Sequence, residues 1–493
     1  MAMDIKKNEN YIIEINDMTQ EGQGVGRAEG IAVFVEGALP GETVEARIIK
    51  VKKTYGIGKL ISIVKASPAR IAPFCSIYGK CGGCSLQHFN YAAQLKWKTR
   101  LVRDSIRRIG GIEGVEVRET MGMGTGAGGY TDMEEPDAGA HEAAGMPMNY
   151  RNKAQYSVAE AGGKIISGFY RAASHHVIEP DRCAIQDKAS EAVRRIVCAF
   201  MEDKDISAYD ESSGKGLVRH IVTQVGFNTG ELMVIIIING ALLPSAVELV
   251  MRLTDENALL PAEGSGPSGK VVDRVIKSIY ININTEKTNV IMGKKNVLLY
   301  GRETITERIG DFNFVISPNS FFQVNPVQTE VLYSKVLEYA ALTGRETVFD
   351  LYCGTGTIAL FLAGKARKVY GVELAEEAVR DARNNAAANS IDNAEFLSGE
   401  AERVVPELYR RGIRADVAVL DPPRKGCDET LLQLLTEMRP DRIIYVSCNP
   451  ATLARDLKHL AGSGYKAEEV QPVDMFPWTG HVETVVLITR VEK

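Results

Sequence analysis

The sequence predicts a multidomain α/β protein: a small β-barrel, a mixed α+β middle and a doubly wound parallel sheet. Three observations lead there. Residues 9–66 hold short alternating runs punctuated by Gly and Pro, the pattern of a closed barrel. From NYRNKAQYSV at 149 onward, strand-like runs (KIISGFY, VRHIVTQVGF, LMVIIIING) alternate with helical ones (KASEAVRRIVCAFM, PSAVELVMRLT). After residue 307, five strand-like runs are separated by helical patterns, as in a parallel sheet covered on both faces. The expected boundaries are 1–66, 67–306 and 307–493.

Bulk properties agree with this division. At about 150 residues per domain, 493 residues make roughly three. Hydrophobic content of 45% and charged content of 25% are ordinary for a globular chain. The longest apolar run, around Leu232–Ile238, falls short of the ~20 residues that span a bilayer. MAMDIKKNEN lacks a secretory apolar core. A cytoplasmic protein without a membrane partner is expected. The net charge of −5 taken alone argues against nucleic acid. However, Ala46–Thr120 holds 15 Lys or Arg against 4 Asp or Glu, leaving −16 for the remainder. One basic module on an acidic protein suits an RNA partner.

In the barrel region, Tyr11-Ile12-Ile13-Glu14-Ile15 alternates, EGQGVGRAEG turns, IAVFVEGAL is a second strand, and PGETVEARIIKVKKTYGIGKLISIV supplies the rest. Glycines 22, 24 and 26 are no dinucleotide loop, because no βαβ unit surrounds them. The middle region opens with Cys75-x5-Cys81-Gly-Gly-Cys84. Eight cysteines in a cytosolic chain are poor candidates for disulfides, and three within ten residues call for a chemical reason. YAAQLKWKTRLVRDSIRRIGG then reads as a helix with a basic face. Residues 121–147, with seven glycines, five acids and no Lys or Arg, read as a disordered insertion, and GSGPSG at 264–269 as a surface loop.

The C-terminal region carries the chemistry. In VFDLYCGTGTIAL a strand runs into Gly354-Thr355-Gly356 and a helix, so a ligand can approach the backbone and meet free N–H groups. Ile358 and Ala359 stand where a dinucleotide fingerprint has its third glycine. Glu373 ends the next strand, 19 residues after Gly354, placed to accept ribose hydroxyls. The pair suits a nucleoside cofactor, with NAD as the rival. Asp421-Pro422-Pro423-Arg424 ends the fourth strand in a rigid loop. In DRIIYVSCNPATLARD, an apolar strand is broken by Asn449-Pro450 before a helix. Cys448 thus falls at a strand's carboxyl end, where open α/β sheets bind ligands. The bland alternative is a small core cysteine.

Several of these motifs coincide with a known family. GxGxxR, VFV and PGE-x-V-x-A, in that order, resemble the TRAM domain, an OB-like barrel of RNA-modifying enzymes. The C-terminal third resembles the Rossmann-like class I S-adenosylmethionine (SAM) methyltransferases. DPPRKG, VSCNPxTLARD, SFFQVN and HVE together resemble the RNA uracil-5-methyltransferases. That resemblance implies that Cys448 attacks carbon 6 of uracil as a thiolate, already partly ionised near neutrality. Glu483 of the HVE motif would then remove the carbon-5 proton. It further implies that Gln323, Tyr352, Gly354, Glu373 and Asp421 hold SAM. Glu400 departs mildly from the expected pattern; Cys353 and Cys427 border the site and read as packing or loop residues, and Cys198 reads as core.

Cys75, Cys81 and Cys84 lack a fourth ligand, and Cys183 is the cysteine left for it. This resembles the [4Fe–4S] site of TRAM-bearing members. Zinc is the rival, with His88, His175 or His176 completing it. Radical-SAM chemistry, which uses Cys-x3-Cys-x2-Cys, does not match. Reaching a base inside a stack requires loop or single-stranded RNA, with salt-sensitive phosphate contacts. Lys153, Arg219 and His220 are expected near that RNA. Members with both barrel and cluster point to 23S ribosomal RNA, and no DNA partner is expected. A tRNA methyltransferase and a non-catalytic RNA-binding protein are the alternatives. An N- or O-methyltransferase would need no cysteine at position 448.

Overall fold

The computed structural model describes residues 5–124, 146–255 and 272–491. Strands β1 (Asn10–Met18), β2 (Gln23–Ala28), β3 (Ile31–Glu36), β4 (Thr43–Val51) and β5 (Tyr55–Lys65) close into a barrel in the order β1-β2-β3-β5-β4. Alternation puts Ile13, Ile15, Val33, Val35, Val44, Ala46 and Ile48 inside, as a period of two requires. Gly26 is needed where β2 crosses β1, since a Cβ there would lie 2.3 Å from the Glu14 carbonyl. Buried Glu42 ties the barrel to the following segment. It accepts from Arg70 Nε at 2.5 Å and Nη2 at 2.8 Å and from the Leu39 amide at 2.8 Å, and those bonds hold its carboxyl below the usual range against the effect of burial.

Next come α1 (Tyr91–Arg108) and β6 (Glu116–Val117). Asn90 caps α1 by accepting from the Ala93 amide, as N-caps do. The helix is less basic at its surface than its sequence reads. Lys98 is fully buried on Asp474, Arg100 pairs with Asp17, and Arg107 and Arg108 pair with Asp104. Both α1 and β6 pack with the C-terminal sheet: Val102, Ile106 and Val117 share its core, and β6 extends its edge.

The middle region contains β7 (Lys153–Ala161), β8 (Lys164–Tyr170), β9 (Val177–Ile178), α2 (Lys188–Asp203), β10 (Val218–Val225), β11 (Glu231–Ile238), α3 (Ala246–Thr254), β12 (Val275–Ile283) and β13 (Lys295–Gly301). Its seven strands form one sheet, β13-β12-β11-β10-β7-β8-β9. One face packs on α2 and α3. The other, through Val222, Met233, Ile235 and Ile237, joins the core of the C-terminal region. The hairpin β14 (Ile305–Ile309) and β15 (Phe312–Ile316) bridges the two. Buried Glu307 accepts the amides of Phe227, Asn228 and Arg308, and burial still lifts its carboxyl to about 7.

The last region runs α4 (Pro326–Ala340), β16 (Thr347–Leu351), α5 (Thr357–Ala363), β17 (Lys368–Glu373), α6 (Glu376–Ala388), β18 (Ala394–Ser398), α7 (Ala401–Arg410), β19 (Val417–Leu420), α8 (Glu429–Met438), β20 (Arg442–Ser447), α9 (Pro450–Gly462), β21 (Tyr465–Val473) and β22 (Glu483–Arg490). The sheet order is β18-β17-β16-β19-β20-β22-β21-β6. Five strands are parallel, as expected. Antiparallel β22, from the strand-like run HVETVVLITRVEK, follows; β21 and β6 lie beyond it, and neither was anticipated from the sequence. YKAEEVQPV is too polar to announce a strand, and two-residue β6 carries no periodicity. The expected insertion 121–147 lies mostly outside the described residues. Its flanks are held: Met121 bridges Val473, and the Met123 amide donates to Tyr91. The GSGPSG loop also lies outside the described residues. No helix among the described residues is long and apolar enough to cross a membrane.

Candidate active site

The carboxyl ends of β16, β17, β19 and β20 open onto a cleft of about 1900 Å³. Gln323, Tyr352, Gly354, Glu373, Asp421, Cys448 and Glu483 all line it. Each reaches the cleft for a local reason. Tyr352 follows β16 with φ +66° and Gly354 has φ +54°, a left-handed turn that favours glycine. A Cβ on Gly354 would meet nothing within 4 Å, so the turn is open to a ligand. Glu373 accepts from the Gly354 amide at 3.2 Å and the Ala375 amide at 2.9 Å, holding the turn to the end of β17. Gln323 is fixed through its carbonyl, which accepts from the Asn152 side chain at 3.0 Å. Glu400, at the start of α7, also faces the cleft and pairs with Arg403.

Cys448 and Glu483 are 35 residues apart in sequence and are joined by sheet pairing. The β20–β22 ladder ends at Ser447–Thr484, so the next residue on each strand, Cys448 and Glu483, meets the other at the sheet edge. Asn449 then caps α9, accepting from the Ala451 amide, with Pro450 in the first turn. This is the physical meaning of the Asn-Pro break.

Electrostatics at this edge depart from expectation in one respect. The Cys448 thiol is pushed up to about 11, first by burial and next by the Glu483 charge, with Arg424 opposing. The thiol is therefore protonated near neutrality, and the expectation of partial ionisation is corrected: a half-buried sulfur beside acids loses hydration without gaining enough positive charge. Glu483 is lifted to about 8 by burial and the Asp421 charge, and Asp421 to about 7 by burial. Asp350 was missed in the sequence. It lies buried on β16, raised well above the carboxyl range by burial, Asp421 and Glu373. An acid inside the apolar run VFDL was the available signal. Arg424 was visible only within DPPRKG, and Phe476, also on the cleft wall, carried no signal.

A second cavity, of about 430 Å³, is lined by Cys75, Cys81, Cys84 and Cys183 together with Gln87, Arg151 and Lys153. Burial raises the Cys84 and Cys183 thiols to about 12. No three His, Cys, Asp or Glu among the described residues already stand in metal-holding arrangement, so the thiols share a cavity without converging on one point. The candidate histidines are elsewhere. His88 is buried against the Tyr78 hydroxyl, His175 is paired with Glu211, and neither they nor His176 line the cavity. Cys353 and Cys427 are buried and border the cleft, as expected. Cys198 packs at the middle core.

Of the three residues expected near RNA, Arg219 and His220 are buried and Lys153 faces a cavity. Arg219 is buried, donating to the carbonyls of Asn284 and Glu286 at 2.8 Å and stacking 4.5 Å from the Tyr209 ring centre. It braces a loop. His220 is buried and lowered to about 4 by burial and then Arg219, which keeps it neutral. Lys153 faces the cysteine cavity, its pKa lowered by burial.

Comparison with known proteins agrees with this geometry. Residues 275–491 match the family model for tRNA (uracil-5-)-methyltransferase, and residues 6–61 match the TRAM domain. An uncharacterized RNA methyltransferase of Clostridium tetani is 46% identical over 98% of this chain and 97% of its own. One of Bacillus cereus is 46% identical over 100% and 99%. Among solved structures, the Pyrococcus abyssi tRNA (uracil-54, C5)-methyltransferase, in complex with S-adenosyl-L-homocysteine, superposes with a TM-score of 0.72. It is 27% identical, covering 97% of this chain and all of that one. Barrel, SAM-methyltransferase sheet and full-length relatives define an RNA methyltransferase. Within that class, the chain belongs to the TRAM-containing RNA uracil-5-methyltransferase family.

Proposed function

We propose that this protein methylates carbon 5 of one or more uridines in large-subunit (23S) ribosomal RNA, using SAM and a covalent Cys448–uracil intermediate. The observation that carries this reading is the meeting of Cys448 and Glu483 at adjacent strand ends of one cleft. SAM supplies the methyl group as an electrophile. Gln323, Tyr352, Gly354, Glu373 and Asp421 hold it, with Glu373 beside the open glycine turn. Half-buried Cys448 gives up its thiol proton to water and forms its bond to carbon 6, and the ring becomes an enolate that is nucleophilic at carbon 5. Arg424 favours that thiolate. After methyl transfer, Glu483 takes the carbon-5 proton, the electrons reform the 5,6 double bond, and the carbon–sulfur bond breaks to return the thiolate. Glu483 acts in its ionised form, and a carboxylate whose pKa is lifted to about 8 is a stronger base than an ordinary one.

Ribosomal RNA follows from the resemblance to members with both barrel and cysteine motif. The tRNA reading is second, favoured by the Pyrococcus protein, which matches along the whole chain. Incubation with SAM and 5-fluorouridine-substituted RNA separates them. Fluorine at carbon 5 blocks the final elimination, so a large-subunit ribosomal fragment is expected to stay attached through denaturing electrophoresis. Attachment of tRNA alone would overturn the ribosomal assignment, and attachment of neither would sink carbon-5 chemistry.

Cys75, Cys81, Cys84 and Cys183 are proposed to hold a [4Fe–4S] cluster once their thiols turn inward. The choice of a cluster over zinc rests on the family resemblance; a cavity of about 430 Å³ has room for a cluster, and four cysteines would also suit zinc, so metal content decides. Protein prepared without oxygen is expected to contain about four iron atoms per chain, and Cys183→Ala is expected to lose them. Zinc in place of iron would reverse the assignment.

A further inference from the structure

The loop between β21 and β22 carries Glu483 at its far end, and its tip is tied to the cysteine segment. Val473 pairs with Glu483, so the loop leaves and returns at one point. Its tip, Trp478, has φ +67° and is 0% exposed. Its carbonyl accepts the amides of Ser85 at 3.0 Å and Leu86 at 2.9 Å, directly after Cys84. Its ring meets Phe74, directly before Cys75, edge-on at 5.0 Å, and its indole N–H donates to the Pro147 carbonyl at 2.9 Å. Cys84 and Cys183 pack against the same cluster.

The loop has little slack on either side of that tip. Before it, Lys98 Nζ binds Asp474 at 2.5 Å with both side chains buried, and Asn325 binds the Met475 carbonyl at 3.1 Å. After it, Gly480 lies so close to the barrel that a Cβ would stand 1.8 Å from the Gln20 carbonyl. Trp478 does not line the cleft, whereas Phe476 and Glu483 on either side of it do. A buried indole at a left-handed position is costly to hold, and no step of the reaction uses it.

From this juxtaposition we infer that Trp478 is a positioning residue for Glu483, through which the cysteine segment 75–84 sets the final proton removal and RNA release. The inference rests on the reading of Glu483 given above. Glu483 acts only after methyl transfer, so a displaced loop slows release and leaves attack and methylation intact. Displacements of about 1 Å cost on the order of 100-fold in rate.

The test uses Trp478→Phe and Phe74→Leu in the full-length protein with SAM and ordinary uridine RNA. Single-turnover methyl transfer is expected to stay within about threefold of the unsubstituted protein. Multiple turnover is expected to fall about tenfold or more, while a denaturation-resistant protein–RNA adduct accumulates. If methyl transfer and turnover fall together without adduct, Trp478 is structural only and the inference is overturned. Should Trp478→Phe fail to fold, Phe74→Leu, which keeps the indole and its hydrogen bonds, decides by the same two readouts. Failure of the underlying reading is seen separately, as the absence of adduct between unsubstituted protein and 5-fluorouridine RNA.

Discussion

Cys448→Ala is expected to abolish RNA methylation, with a loss on the order of 10⁴- to 10⁶-fold, the scale seen when a covalent nucleophile is removed. Without sulfur, carbon 6 has no addend and carbon 5 never becomes an enolate. Cofactor binding should survive, because Gly354 and Glu373 are held by backbone bonds that do not involve Cys448. Calorimetric titration with S-adenosylhomocysteine and transfer of labelled methyl groups check the two halves. Methylation persisting in the alanine variant would mean that the acceptor is a nitrogen or oxygen needing no activation.

Glu483→Gln should separate the two halves of the reaction. Glutamine cannot take the carbon-5 proton, so turnover is expected to fall by about 10²- to 10⁴-fold, and methylated RNA is expected to remain bound to Cys448 through denaturation. Release of free product at the normal rate would assign the base elsewhere, Asp421 being nearest in charge.

The same variant has a stability signature. Glu483, Asp421 and Glu307 have folded-state pKa values of about 8, 7 and 7, above their ordinary ones. The folded protein therefore binds more protons than the unfolded chain, and stability falls as pH rises through these values. His88 and His220, both lowered to about 4, are neutral in either state above pH 6.5 or so and do not disturb that window. The melting temperature of the protein without ligands is thus expected to drop between about pH 6.5 and 8. In Glu483→Gln the drop should be shallower. An unchanged slope would show that Glu483 is not held protonated.

What the sequence by itself determined is local. Alternation along residues 10–65 specifies barrel strands, because side chains in a strand repeat every two residues. Gly354-Thr355-Gly356 and Asn449-Pro450 mark where strands end and helices begin, because glycine permits the turn and Asn-Pro caps the next helix. Tyr352, Glu373, Asp421 and Cys448 were legible at strand ends that announce themselves, whereas Gln323 and Glu483 were legible only through the family resemblance. Tertiary structure decided what depends on distant partners. Antiparallel β22 sets Glu483 beside Cys448. Lys98, which reads as part of a basic face, is buried on Asp474, 376 residues away. Arg219 and His220 turn inward. Burial and neighbouring acids lift Cys448 to about 11, and Trp478 joins the cysteine segment to the Glu483 loop. Periodicity reports which face of an element is apolar, but desolvation and long-range pairing arise only when elements from separate regions pack together.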